Sequence, residues 1–428
     1  MAGRSDVRHH LAQRRFGIAE SFEAWADPAL TDDERTDIVE NYFTVAKLGE
    51  IQRIGQNSVF CSAGSSSTRA TLLVVGRHDL TGLSVGTTPR IDDGQTLQGP
   101  GVGSRFGPTI AFAEGVQAAR TAIGEEPMSV SFLSLGHGDT FASVTSALFL
   151  GHIDAIVMTN AVAWSADHSA ITTGARGQLV AELALSAGQS HNDFVTSGAF
   201  RNPLSKLTQI LGSLRDDRGR IVLPGFYSRA HRPDDERRRV FNENADLASS
   251  WAENLGTARP AGGLTSLERA ALWPGVSVLT CSGDQSDGYA MPGAASATIA
   301  FYLIPEQRHA EVESALREWF LELAPPDLNP TIKLLSSSRP YRSPGDSVLL
   351  TSQRRAAKSL GARSTLLVPG GGPTGAGEIA YGLGAPVAFA GLISPENGFG
   401  TSAESLPRNR FESGIAMAAE TVLQLRNA

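Results

Sequence analysis

Short apolar runs alternate with longer amphipathic ones from about residue 30 to residue 176. "TDDERTDIVENYFTVAKL" predicts a helix, with Thr31 as N-cap and acids in its first turn. "TLLVVG" at 71–76 predicts a buried strand that empties onto the polar tip Gly-Arg-His-Asp. "GPTIAFAEGVQAARTAIG" has helical spacing, with Pro108 near its first turn. "MSVSFLSLG" predicts a strand, "TFASVTSALFLG" a helix and "DAIVMTN" another strand. Strands that alternate with helices imply a mostly parallel sheet covered on both faces. Residues 1–30 are polar and read as an arm or an irregular helix.

The pattern changes after "TTGARG". Residues 178–186 alternate apolar with small or polar, as in a half-exposed strand. "NPLSKLTQILGSLRDDRGR" predicts a helix ended by a polar turn, "SATIAFYLIPEQ" a strand, and "QRHAEVESALREWFLELA" an amphipathic helix. From about residue 340 the strand–helix alternation returns in "STLLVPGGG", "PVAFAGLIS" and the closing helix "FESGIAMAAETVLQLR". The pattern predicts an α/β domain in two segments, 1–176 and 339–428, with a mixed, mostly parallel sheet flanked by helices. An α+β sandwich at 177–338, with one open sheet face, is inserted into it.

The net charge of −7 argues against a nucleic-acid-binding surface. The run Arg237-Arg238-Arg239 is interleaved with acids in "RPDDERRR" and reads as a solvated helix face. Cys61 and Cys281 are the two cysteines, too few for a disulfide framework, which points to a reducing cytoplasm. The N-terminus has no apolar signal core, and no run approaches the roughly 18 apolar residues of a membrane span. No nucleic acid or membrane is expected as a partner.

The inserted segment carries "TSGAFRNPLSKLTQILGSLRDDRGRIVLPGFY". This resembles the lid domain of the co-catalytic zinc peptidases, the family of carnosinase, aminoacylase and carboxypeptidase G. The matches are Ser197-Gly198, Asn202-Pro203, Ser213-Leu214, Asp217, Gly219-Arg220 and Pro224-Gly225-Phe226-Tyr227. "GPGVGSRFGP", "GARG" at 174–177 and "GTSAESLPRNRFESGI" resemble landmarks of the family's catalytic domain. The resemblance runs from about residue 40 to the C-terminus. It implies a peptidase-like α/β domain with a lid that carries a homodimer contact.

The family's chemistry uses two zinc ions held by two histidines and three carboxylates, with a glutamate as general base. The resemblance places the first histidine ligand on Arg77 and the bridging aspartate on Ser104, followed by Arg105. The base falls on Gly138 and the next ligand on Asp139; the later aspartate falls on Asn160. The last histidine falls on Gly400, with Glu404 retained. Arginine has no lone pair to offer a metal, and His78 points to the opposite strand face. The resemblance therefore implies a degenerate member with no zinc pair and no other cofactor.

Other groups at these strand ends carry candidate chemistry. Ser104, His137 and Asp139 are the residue types of an acyl-transfer relay. Arg77, His78, Asp79, Arg105, Asn160 and Glu404 are candidate substrate contacts. By resemblance so are Thr196 and Tyr302, at the family's lid histidine and arginine, and Gly370, Gly371 and Gly372 could present backbone N–H groups to an anion. Arg77 has an alternative as a structural ion pair with Asp139 or Asp79. The leading expectation is metal-independent acyl or amide chemistry on a small amino-acid-like substrate, in specialised metabolism. The alternatives are a non-catalytic pseudo-peptidase that binds or scaffolds, and a hydrolase with a rearranged or single-metal site.

Overall fold

The computed structural model describes residues 24–25, 27, 29–62, 70–80, 83, 90–92, 95–125, 127–145, 150–163, 170–188, 191–192, 198–230, 238–239, 241, 264–284, 290–361, 366–368 and 375–427. The first half supplies helix α1 (Asp32–Val45), the hairpin β1 (Glu50–Ile54) and β2 (Ser58–Ser62), and strand β3 (Thr71–Arg77). Helix α2 (Phe106–Ile123), β4 (Ser129–Leu135) and β5 (Ala155–Met158) follow. Then come β6 (Gly177–Ser186), α3 (Pro203–Gly212), α4 (Ser266–Leu272), β7 (Gly275–Gly283) and β8 (Ala294–Leu303). Last are α5 (His309–Leu323), β9 (Thr331–Ser338), α6 (Val348–Ser359), α7 (Ala376–Leu383), β10 (Val387–Phe389) and α8 (Arg408–Arg426).

The larger sheet has the order β1-β2-β4-β3-β5-β10. Its β4, β3, β5 and β10 are parallel, and the β1–β2 hairpin joins antiparallel at one edge. Leu72, Leu73, Val74 and Val75 are all buried, because apolar cores cover both faces of β3. Helices α2 and α8 pack so closely that a Cβ on Gly115 would meet Ala418 at 2.5 Å. The N-cap of α1 is Thr31, which forms a reciprocal capping box with Glu34.

The second sheet is antiparallel, with the order β7-β8-β6-β9 and its own core. Alternate residues of β6 are buried, and Leu179, Leu183 and Leu185 meet Leu207 of α3 and Leu316 of α5 in that core. Asn202 caps α3 by accepting the N–H groups of Leu204 and Ser205. The sequence reading did not name helices α4, α6 and α7, the hairpin β1–β2 or the edge strands β7 and β9. Strands β1, β7 and β9 are short or largely exposed. Among the described residues, no helix is long and apolar enough to cross a membrane.

Candidate functional site

The parallel strands β3, β4 and β5 end together, and open α/β sheets bind ligands at that edge. Gly76 is required there. A Cβ would meet Thr109 Oγ1 at 2.1 Å and Thr159 Oγ1 at 2.6 Å, and these hydroxyls bond each other at 2.9 Å. The tip of β3 is thus pressed against α2 and the end of β5, and Arg77 emerges from it half-buried. Its Nε donates to Asp79 Oδ1 at 2.8 Å, and Asp79 is 1% exposed. Its two Nη atoms make long contacts with the carbonyls of Asp139 and Gly136, at 3.5 and 3.4 Å.

Arg105 immediately precedes α2. Burial pushes its pKa down, the charge of Asp79 pulls it back up, and Arg77 and Glu404 act in opposite senses. Two guanidinium groups and two carboxylates therefore share one field at this pole. Asn160 follows β5, two residues beyond Met158, which pairs with Val75. Its Oδ1 is buried and has no hydrogen-bond partner among the described residues.

The other expected site residues are occupied elsewhere. The Ser104 hydroxyl donates to Glu404 Oε1, and the other carboxylate oxygen accepts the N–H groups of Gly103 and Ser104 at 2.9 and 3.0 Å. Gly400 N–H also donates to Glu404, at 2.8 Å. Burial nevertheless raises the Glu404 pKa against these bonds. Asp139 accepts from Gln56 N, Asn57 N and the Ser58 hydroxyl, the last at 2.7 Å. Burial opposes its ionisation, but the Asn57 N–H, the Ser58 hydroxyl, the Gln56 N–H and Arg77 together outweigh it and lower its pKa. Gly55, at φ +62°, leaves room for this carboxylate, which a Cβ would meet at 2.6 Å. His137 is half-exposed, and its Nδ1 lies 3.8 Å from Asp32.

The expected Ser104–His137–Asp139 relay is therefore not assembled: each side chain is bonded in a different direction. His78 is corrected as well. It is 1% exposed, with its ring between Ser134 Oγ at 2.9 Å and Thr36 Oγ1 at 3.2 Å, and burial pushes its pKa down to about 4. It is a neutral interior group, not a substrate contact. Tyr302 lies in β8 beneath the Arg176 guanidinium, 5.2 Å from ring centroid to Cζ. Thr196, Gly370, Gly371 and Gly372 lie outside the described residues.

Several organising residues carry no signal in the sequence. Trp25 is fully buried; its indole N–H holds the His78 carbonyl at 2.9 Å, and Arg35 binds the Trp25 carbonyl at 2.7 Å. A single tryptophan in a polar segment offers no periodicity to find it by.

A zinc pair does not fit these residues. The positions that the resemblance gives to its ligands hold a guanidinium, a hydroxyl bonded to Glu404, a carboxamide and a glycine. Asp139, the one carboxylate left, already accepts three or more hydrogen bonds from the 56–58 turn. Among the described residues, no cluster of three His, Cys, Asp or Glu could hold a metal ion.

No family model matches the chain. It is 27% identical to the human Beta-Ala-His dipeptidase over 184 residues, which are 40% of this chain and 36% of that protein. The rat Beta-Ala-His dipeptidase is 27% identical over 159 residues, 35% of this chain and 32% of that protein. The match thus spans about a third of the length of these curated relatives. In fold the likeness extends over nearly the whole chain. The di-peptidase Dug1p of Saccharomyces cerevisiae superposes with TM-score 0.82 at 16% identity, over 100% of this chain and 99% of that one. Human carnosine dipeptidase 1 gives 0.78 at 17%, over 99% of both. An M20 family metallo-carboxypeptidase of Sulfolobus solfataricus gives 0.82 at 18%, over 97% of this chain and 99% of that one. The chain is a relative of the carnosine dipeptidases and has the fold of the M20 family metallopeptidases.

Proposed function

We propose that the chain is a metal-independent relative of the zinc dipeptidases that binds a small amino-acid-like or peptide amide at the Arg77 tip and acts on its acyl or amide bond. One observation carries this reading. Arg77, paired with Asp79, and Arg105, in the field of both, form a guanidinium pole at the strand ends, where the resemblance puts the family's metal ligands. A guanidinium fork binds a carboxylate in two-point fashion and stabilises a developing oxyanion. The buried Asn160 oxygen adds an acceptor with no partner among the described residues. Leaving such a group unmet costs about 1–3 kcal/mol, and a ligand N–H would meet it. Carboxylate or carbonyl oxygen on one side and N–H on the other are the features of an amino-acid amide. The dipeptidase names of the curated relatives support the same substrate class.

The unassembled relay favours a second reading, binding without catalysis. One experiment separates the two. Protein purified without chelator is analysed for zinc and assayed with dipeptides, N-acyl amino acids and amino-acid amides, for cleavage and for formation. Turnover that is insensitive to EDTA and lost in Arg77→Ala is expected. Saturable binding with no turnover in either direction would install the second reading. About two zinc per chain with zinc-dependent hydrolysis would overturn both. We also propose a homodimer formed through the inserted domain. The exposed edge strand β7, with Val278 and Leu279 open to solvent, supports it. A cytoplasmic setting is supported by two unbridged cysteines.

A further inference from the structure

A cavity of about 900 Å³ opens on the inserted domain, lined by Arg176, Arg215, Arg218, Arg220 and Arg269. It shares no lining residue with the Arg77 tip. Its size is that of a small-ligand site. No aspartate or glutamate is among its described lining residues, in a protein whose net charge is −7. Like charges do not gather at one cavity without cost, so the cluster needs an account.

Three of the arginines are held in place by neutral groups. Arg176 Nη2 donates to the carbonyls of Trp273 at 2.7 Å and Tyr302 at 3.2 Å, and its Nε is buried with no hydrogen-bond partner among the described residues. Arg215 donates to the carbonyls of Gly219 at 2.7 Å and Val276 at 2.9 Å. Arg220 lies over the Tyr227 ring at 5.4 Å, and Tyr227 stacks on Trp273 at 5.6 Å. Carbonyls and ring faces fix a guanidinium without cancelling its charge.

Two acids next to lining residues in the sequence are committed elsewhere. Asp216 Oδ1 accepts the backbone N–H groups of Arg218 and Arg220, which holds the turn that presents both. Glu268 is engaged by Arg238 at 2.7 Å and by the Thr265 N–H at 2.7 Å. Burial also lowers the pKa of Arg176, to about 10, a cost that a bound anion would offset.

We propose that this cavity is a second binding site, for a small organic anion carrying several carboxylate or phosphate charges. The site is independent of the substrate read for the Arg77 tip. Rigid guanidinium forks arranged around one volume match the paired oxygens of such anions. The aromatic wall of Tyr227 and Trp273 leaves a flat apolar surface for the rest of the molecule.

The test is calorimetric titration of the full chain with pyrophosphate, citrate and ATP at fixed ionic strength, with acetate as the monovalent control. Saturable binding of at least one multivalent anion and none of acetate is expected. The order of affinity tells phosphate from carboxylate recognition. R218A/R220A removes two exposed charges and is expected to weaken binding roughly tenfold or more. R354A/R355A, an equal charge change on α6, is expected to leave it unchanged. Should R218A/R220A fail to fold, Arg269→Gln reads the same contact set. No saturable binding of any of the three anions, or equal losses in both double variants, would overturn the site. So would binding of single-stranded oligonucleotide alone.

Discussion

Glu404 and Ser104 stand 300 residues apart in sequence and are hydrogen-bonded to each other inside the protein, carboxylate to hydroxyl. The same carboxylate holds the Gly103, Ser104 and Gly400 N–H groups, so it ties the approach to α2 to the segment that leads into α8. In Glu404→Ala these buried donors lose their acceptor. A loss of about 2–4 kcal/mol in unfolding free energy is expected, read by urea titration at pH 7. A loss below roughly 0.5 kcal/mol, as for an ordinary surface change, would count against the role given to Glu404.

Asp139, which the resemblance places at a metal-ligand position, accepts the Gln56 and Asn57 N–H groups and the Ser58 hydroxyl. Asp139→Asn should destabilise the protein by about 1–3 kcal/mol at pH 7. The folded pKa is lowered from the ordinary 3.8. The stabilisation is therefore full above that value and lost as pH falls through the folded pKa. Melting curves of the two proteins should converge in acid; a gap that widens there would contradict the assignment.

His78 titrates in the opposite direction from a surface histidine at a carboxylate. Burial lowers its pKa from 6.5 to about 4, against the pull of Asp79. Between those values the unfolded chain holds a proton that the folded chain refuses, so stability rises with pH across the window. It is complete above pH 6.5, and roughly 3 kcal/mol is lost by pH 4. His78→Gln should flatten that part of the stability–pH curve, and an unchanged slope would place the titration elsewhere.

Zinc should leave the fold untouched. Where a zinc pair is part of a folded site, a chelator lowers stability by removing a ligand of the native state. In the proposed metal-independent reading, the Arg77–Asp79 pair and the Asp139 turn stand in for such bonds. The melting temperature with excess EDTA should equal that with added zinc. A rise of several degrees on adding zinc would point to a metal site built from other residues.

In the proposed reading, Arg77 sets how the pole recognises its ligand. Arg77→Lys keeps the charge but gives up the two-point fork, and its ammonium cannot hold Asp79 and the Gly136 carbonyl in the same geometry. Ligand affinity should fall roughly tenfold while the fold persists. An affinity equal to wild type would mean that charge alone matters.

Much of the scaffold was legible along the chain. The run Leu72–Val75 is uninterrupted because both faces of a parallel strand are buried. Thr31 and Asn202 announce their helices because short polar side chains cap open N–H groups. The resemblance to the zinc peptidases was legible from the same residues, since local motifs fix those positions. The hairpin β1–β2 was missed because its pairing, not its pattern, makes it a strand pair.

Sequence by itself determined which residue types stand at the strand tips, because chemistry at a motif position is a local property. Only the tertiary structure decided what those groups do. Ser104 is bonded to Glu404, His137 turns to Asp32, Asp139 holds a turn, and His78 is sealed between Thr36 and Ser134. The five-arginine cavity likewise draws on the approach to β6, the 215–220 turn, α4 and β8. Hydrogen bonds and fields act over a few ångströms of space, and the chain brings residues within that range without regard to their separation in sequence.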